Sequence, residues 1–560
     1  MDNQRLILFF GLILVLFLMY EAWTKDYSTK PVAVTTTESS AAHIPDAPKD
    51  VPVAQQPVFA EVTPQSTPEA GKVEAVTSQR IHVVTDTLDI TIDSRGGDIR
   101  EVDLRKYPVS SSEKETPFKL MKDTLPNLFV AQSGLLSSSE APDHYAIFSA
   151  AKNEYTLAEG QNELRIPLVW EGSSGIKVTK TLIFKRGNHY VDIEQRVENG
   201  SGEVWSGRQY RQLQRSRPDG SNSSFFIYTY TGGVIYSEAE KYEKVDFDDM
   251  AKQNLERDIT GGWGAIIEHY FLAAFIPAQD ELNHFYSKAP GDDRFVLGLV
   301  SPAKTVQTGQ SGIFSTRLYL GPKEQAVLED LAPGLELTVD YGMLTVIAKP
   351  LFWVMDWFHS LVNNWGWSIL MVTLIIKLMF LPLSAASYRS MANMRKFAPK
   401  MQQLKERYGD DRQRMSQAMM ELYKKEKINP LGGCLPMIVQ IPVFIALYWV
   451  LLESVELRQA PFILWIVDLS IKDPYYILPL LMGVCMFIQF KLNPTPPDPI
   501  QAKVMMALPV IMTLFFAFFP AGLVLYWFAN SALSVAQQWY ITAKIDKAAA
   551  AAAAAEKIKF

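Results

Sequence analysis

Ile369-Leu370-Met371-Val372-Thr373-Leu374-Ile375-Ile376-Lys377-Leu378-Met379-Phe380-Leu381 is an apolar run that carries one cation. A charge at the middle of a spanning helix costs about 2.5–3.5 kcal/mol on insertion scales, so it usually faces a partner or a wet cavity. Two readings of Lys377 stand open. It lies only about 10 Å of helix rise from Ser384, close enough for a long side chain to snorkel to the interface. Otherwise it faces a water-filled space inside the membrane. Thr373, one turn away, shares its face. No acidic residue lies deep in any apolar stretch to neutralise it. An unneutralised lysine is tolerable where water reaches it, or where an acidic group arrives from outside.

Working outward, five apolar stretches read as spanning helices: Gly366–Leu383, Leu431–Leu452, Tyr475–Phe490, Val504–Phe519 and Ala521–Tyr540. Trp365, Trp367, Tyr475, Tyr476, Trp539 and Tyr540 gather at their ends, as interfacial aromatics do. Val504–Phe519 would reach only about 24 Å against roughly 30 Å of hydrocarbon, and a short span thins the bilayer around it. Gln440, Gln489, Thr513 and Asn530 add polar groups to the spans; each alone suits hydrogen bonding between helices. Leu6–Tyr20 is a further apolar run, read as an uncleaved first span within residues 1–27. A signal peptide is the alternative, but the small-residue cleavage pattern is missing and Trp23 suits an anchor. The total is six spans.

Charge sets the orientation. Ser384–Lys427 holds eleven Lys/Arg against five Asp/Glu, a balance of +6 in a chain of 560 residues whose net charge is −6. The remainder therefore carries −12. A short, strongly basic segment between two spans is expected in the cytoplasm. The loop from Glu453 to Pro474 has more acid than base and should face outward. Counting back puts the large polar region outside and the N-terminus inside. The mild net charge argues against a general nucleic-acid binder. Both cysteines, Cys434 and Cys485, fall in apolar blocks, so the polar region holds no disulfide.

Within the basic segment, Met391, Met394, Ala398, Met401, Leu404 and Tyr408 recur at helical spacing. Gly409-Asp410-Asp411 then turns the chain, and Met415, Met419 and Leu422 resume the pattern. This predicts a helical hairpin over residues 384–428. Its methionines suit an adaptable apolar surface, although packing of the two helices on each other explains the stripe equally well. Its basic excess suits lipid phosphate or ribosomal RNA.

Residues 28–80 are rich in Pro, Thr, Ala, Val and Glu and read as an extended tether. From residue 81 to 340 the pattern becomes one of strands. In Tyr190–Val197, Val191, Ile193 and Val197 share a face opposite Asp192, Glu194 and Arg196, and Lys185-Arg186-Gly187-Asn188 supplies a turn before it. Many such strands predict a large antiparallel sandwich. Residues 341–365, in which Pro350 interrupts Met343–Leu361, suit an amphipathic helix on the membrane surface. Residues 366–541 form the helical core, and 542–560 a tail with an alanine run. No Gly-rich phosphate loop occurs, so no nucleotide hydrolysis is expected, and no cofactor or metal is implied.

Several long motifs in order carry a family resemblance. They are Met1-Asp2-Asn3-Gln4-Arg5, Asn429-Pro430-Leu431-Gly432-Gly433-Cys434-Leu435-Pro436, Ser454-Val455-Glu456-Leu457-Arg458-Gln459-Ala460-Pro461-Phe462, Asp473-Pro474-Tyr475-Tyr476-Ile477-Leu478-Pro479 and Phe519-Pro520-Ala521-Gly522-Leu523-Val524-Leu525-Tyr526-Trp527. Over nearly its whole length the chain resembles the YidC/Oxa-type membrane protein insertases of the Gram-negative kind. The resemblance implies a mixed fold: a periplasmic antiparallel β-supersandwich, shaped like the sugar mutarotases, and an α-helical transmembrane bundle of six spans with a cytoplasmic helical hairpin. It implies a hydrophilic groove lined by Lys377, Thr373, Gln440, Gln489, Tyr526 and Trp527. Pro436, Ile438, Pro509 and Met512 would form a client sliding surface on the third and fifth spans, and Arg395, Lys396, Lys400, Lys405 and Arg407 the basic face of the hairpin. Family members commonly carry arginine where Lys377 stands; the charge is kept, but the two-pronged fork is lost. The implied partners are nascent inner-membrane proteins, the SecYEG translocon with accessory Sec proteins, the ribosome, signal recognition particle components and the lipid bilayer. The implied activity is insertion and chaperoning, not enzyme chemistry.

Two rival functions remain at this level. A solute transporter predicts paired midplane charges and an internal repeat, neither of which is visible, although prolines 436, 442, 479 and 509 could break helices. A membrane-tethered sugar enzyme would draw on His82, His144, His189, His269 and His284, whose spacing assembles no acid–base pair.

Overall fold

The computed structural model describes residues 78–218, 229–396, 398–408, 411–425, 435–493 and 499–557, some helical side chains aside. The expected first span and nearly all of the tether fall outside them. The chain divides into two compact units, one ending at Val339 and the other beginning at Asp340.

The first unit is built from an eleven-stranded and a nine-stranded sheet. Strand Tyr190–Asn199 shows why. Its alternate residues Val191, Ile193 and Val197 are buried, and it pairs antiparallel with Ile176–Lys185 on one side and Ser311–Pro322 on the other. Period-two burial of this kind fixes register, because a slip of one residue would turn the apolar set to water. One cluster of the core gathers Leu135, Ile176, Val178, Val197, Trp205, Val306 and Phe314. One pairing departs from the expected antiparallel pattern: Glu154–Thr156 lies parallel to Arg80–Val84 at the edge of the larger sheet. Parallel pairing needs a long crossover, and here many strands intervene in sequence. Two short helices, α1 (Phe247–Lys252) and α2 (Gln325–Leu331), complete the unit.

The second unit is helical: α3 (Thr345–Val362), α4 (Trp365–Met379), α5 (Leu381–Lys396), α6 (Ala398–Tyr408), α7 (Arg412–Lys425), α8 (Leu435–Glu453), α9 (Ile477–Leu492), α10 (Pro499–Phe516) and α11 (Ala521–Lys557). Among the described residues no single helix is long and apolar enough to cross a membrane. One pair passes that test together, Trp365–Met379 with Leu381–Met391, bent by 64°. The bend corrects the straight run expected over Gly366–Leu383. Pro382 has no N–H for the carbonyl four residues back, so α4 ends at Met379 with Phe380 as its cap, and Pro382 falls in the first turn of α5, where proline is tolerated.

Pro350 does the opposite of what was expected and lies inside α3 without ending it. The carbonyl it leaves without a donor belongs to Val346, which is exposed and can be satisfied from outside. The alanine run is helical as far as Lys557, continuous with α11. Helices α6 and α7 pack on each other, and Asp411 accepts hydrogen bonds from the N–H groups of Gln413 and Arg414 at the start of α7.

Candidate functional site

Helix α4 starts at a strong cap. Asn364 accepts from the Trp367 N–H at 3.1 Å and donates to the carbonyls of Pro461 and Phe462. Substituting such a cap by alanine typically costs about 1 kcal/mol. From there α4 divides by face. Ile369, Val372, Thr373, Ile376 and Lys377 are buried, while Leu374, Ile375, Leu378 and Met379 are exposed. An apolar exposed face is what lipid contact requires. Lys377 therefore lies on the inward face, only 5% exposed.

Its ammonium donates to Ser534 Oγ at 2.7 Å. Ser534 in turn donates a hydrogen bond to the Asn530 carbonyl at 2.7 Å, and the Asn530 side chain accepts from Gln440 Nε2 at 2.8 Å. A polar chain thus runs from α4 across α11 to α8. Among the described residues no carboxylate pairs with Lys377, whose hydrogen-bond partner is the Ser534 hydroxyl. The side chain is turned into the bundle, onto α11.

The other expected groove residues are placed unevenly. Tyr526 is buried on α11, its hydroxyl beside Gln440 yet without a partner in hydrogen-bonding geometry. Trp527 sits among Phe444 and Phe516, with ring centroids 4.5 and 5.3 Å away. Its buried Nε1 also lacks a partner. Thr373 is buried and donates back to the Ile369 carbonyl at 2.6 Å, so its hydroxyl is spent within its own helix. Gln489 is half-buried on α9, and no hydrogen bond links it to Lys377, Gln440 or Asn530. On α10, Pro509 is buried and Met512 half-buried; the exposed apolar face is made by Val504, Met506, Val510, Ile511 and Leu514. The Pro436 and Ile438 side chains lie outside the described residues, as do those of Arg395, Lys396 and Lys405. Lys400 and Arg407 are exposed.

Ser534 was not singled out from sequence, and Asn530 only as one polar residue among several. A signal was present. Tyr526, Asn530, Ser534 and Gln538 recur every fourth residue of α11, one turn apart. Gln538 continues the stripe by donating to Asn493 Oδ1 at 2.9 Å.

In the sandwich, the five histidines have separate partners. His82 pairs with Asp89 and His284 with Asp258, His144 bonds Tyr210, His269 stacks on Tyr270, and His189 lies edge-on to Tyr107. Among the described residues no cluster of three or more His, Cys, Asp or Glu could hold a metal.

Sequence families account for both units. Residues 80–354 match the YidC periplasmic domain and residues 357–548 the 60Kd inner membrane protein family. A curated relative named membrane protein insertase YidC, from Thioalkalivibrio sulfidiphilus, is 53% identical over 98% of this chain and 99% of its own. The protein of the same name from Methylococcus capsulatus is 53% identical over 98% of this chain and 99% of its own. A solved structure described as an active YidC insertase with its first transmembrane domain resolved aligns with 83% of this chain and 93% of its own, at 18% identity and a TM-score of 0.39. The chain belongs to the YidC family of membrane protein insertases, bacterial inner-membrane proteins with a β-rich periplasmic domain and a helical C-terminal region.

Proposed function

We propose that the chain inserts nascent inner-membrane proteins by receiving a short polar, often acidic, tail at Lys377 and releasing the apolar segment to lipid. The observation that carries this reading is a buried ammonium, held by one serine, with no carboxylate paired to it among the described residues. The family's other groove positions, Thr373, Gln440, Gln489, Tyr526 and Trp527, share the task of replacing water around the tail. The apolar part slides along α8 and α10, where Pro436, Ile438, Pro509 and Met512 lie. No covalent step is needed. Burial of apolar surface in the bilayer drives the transfer, and for an acidic tail the membrane potential adds about 2.3 kcal/mol per charge per 100 mV. Short helices assist. As a helix of 16 residues, α9 reaches about 24 Å against roughly 30 Å of hydrocarbon, which favours local thinning.

The orientation we infer follows the charge asymmetry: six spans, N-terminus and basic helical hairpin in the cytoplasm, sandwich in the periplasm. In that arrangement Lys400 and Arg407 are exposed toward the compartment where ribosomes and signal recognition particle components approach. Cooperation with the SecYEG translocon belongs to the same reading. Photocrosslinkers placed at Lys377, Gln440 and Trp527 test it against a stalled, ribosome-bound nascent membrane protein. Crosslinks to the nascent span from these positions, and none from exposed controls such as Leu378 or Leu480, are expected. Crosslinks confined to lipid and to the protein's own helices would favour a snorkelling lysine and a solute transporter.

A further inference from the structure

We infer that Ser534 is the positioning residue for Lys377, a neutral placeholder for the client's carboxylate; this rests on the insertase reading above. Three observations meet at this one hydroxyl. Its oxygen accepts from the Lys377 ammonium at 2.7 Å. Its proton is committed to the Asn530 carbonyl at 2.7 Å, so the oxygen is left to face the cation as a pure acceptor. The turn of α11 that carries both is tied in turn to α8 through Gln440 and Asn530. Ser534 is buried, and the Tyr388 hydroxyl of α5 lies close to it.

The chemistry of this choice is specific. A lysine side chain has many rotamers and offers three donors. One neutral acceptor fixes where the ammonium sits and leaves its charge intact. A carboxylate in the same place would also fix it, but would cancel the charge that an acidic tail is meant to meet. Among the described residues Lys377 has no second hydrogen-bond partner, so two of its donors remain for an incoming group. Exchange of the serine oxygen for a carboxylate is favourable, since the ionised acceptor adds Coulomb attraction, which is strong in a poorly solvated site, to a bond already assisted by the ammonium. Ser534 thus holds the cation in readiness and yields it to a client carboxylate.

The test uses the full chain reconstituted in lipid vesicles, with one single-span client in two forms. The translocated tail carries two aspartates in the first and two asparagines in the second. Ser534→Asp should slow insertion of the aspartate client by about tenfold or more, the worth of one charge-assisted hydrogen bond, and leave the asparagine client nearly unchanged. Ser534→Ala, which frees the ammonium without cancelling it, should slow the aspartate client by roughly two- to fivefold, with recovery in Ser534→Thr. If Ser534→Asp treats both clients alike, or Ser534→Ala and Ser534→Asp lose both together, the serine is merely structural and the inference is overturned. Lys377→Gln separates the two levels. It should erase the difference between the clients; if the difference survives that change, the Lys377 reading itself fails, whatever Ser534 does.

Discussion

Buried cations occur in both units, but they are kept in opposite ways. In the sandwich, Lys180 is fully enclosed and donates to the carbonyls of Gly96 and Ser133 at 2.7 and 3.0 Å, with Asp98 close enough to favour its charge. Arg211 is tied to Gln209 and Asn283 and faces Glu281 at 3.8 Å. Burial still pulls Lys180 down to about 8 and Arg211 to about 10. Each of these charges has a carboxylate nearby to balance it. Lys377 has one neutral partner and no counter-charge among the described residues. A balanced charge specifies a structure, whereas an unbalanced charge is an offer to something that is not yet there.

The largest effect that would sharpen the contrast is expected at Asp98. It accepts from Gln132 and Arg100 at 3.1 Å each, and its removal leaves Lys180 without its counter-charge and Arg100 with only Asp123, at 3.5 Å. Asp98→Ala should cost about 3–5 kcal/mol in denaturant unfolding of the sandwich, as for other broken buried pairs. Lys377→Met should behave in reverse, leaving thermal stability equal or raised by about 1–2 kcal/mol while insertion of acidic clients falls. A large loss of stability there would break the comparison, because it would place Lys377 among the structural cations.

A smaller effect is expected at Gly298. Across the larger sheet the Tyr286 hydroxyl donates to Gln212 at 2.6 Å, and Gln212 donates to Gln132 at 3.1 Å. That reach passes over Gly298, where a Cβ would meet the Tyr286 ring at 2.5 Å. Gly298→Ala should therefore destabilise by about 1–3 kcal/mol, and Tyr286→Phe in the same background should add less than it does alone. The smallest effect concerns pH. Burial, with help from Lys106, holds His189 down at about 4. Unfolded, the ring would titrate near its ordinary 6.5. The unfolded chain then binds the extra proton between pH 6.5 and 4, so stability is full above 6.5 and falls as pH drops toward 4. His189→Phe should flatten the unfolding midpoint across that window and leave the neutral-pH slope alone.

How much of this could be read beforehand differs between the units for physical reasons. The alternation in Tyr190–Asn199 announced a strand with a buried face, and the strand is there. Gln132, Gln212 and Gln214 could not be read as interior, because polar residues at strand positions look like a solvated face until the fold covers them. Lys377 was legible because a charge in an apolar run is expensive wherever it points. Its partner was not. Ser534 sits far along the chain, and only the crossing of α4 with α11 brings the two together, though the four-residue stripe on α11 hinted at a polar face. The bend at Phe380 was available in Pro382, but the apolar run continued past it and masked the break.

The most direct test of the claim that Lys377 is an unbalanced, functional charge is a tail-charge series. Insertion of one client with increasing numbers of tail carboxylates is measured in vesicles with no membrane potential, for the native chain and for Lys377→Met. The native chain should favour the acidic tails over neutral ones by roughly tenfold, and Lys377→Met should show no such preference. An unchanged dependence on tail charge in Lys377→Met would contradict the claim and return Lys377 to the class of buried structural cations.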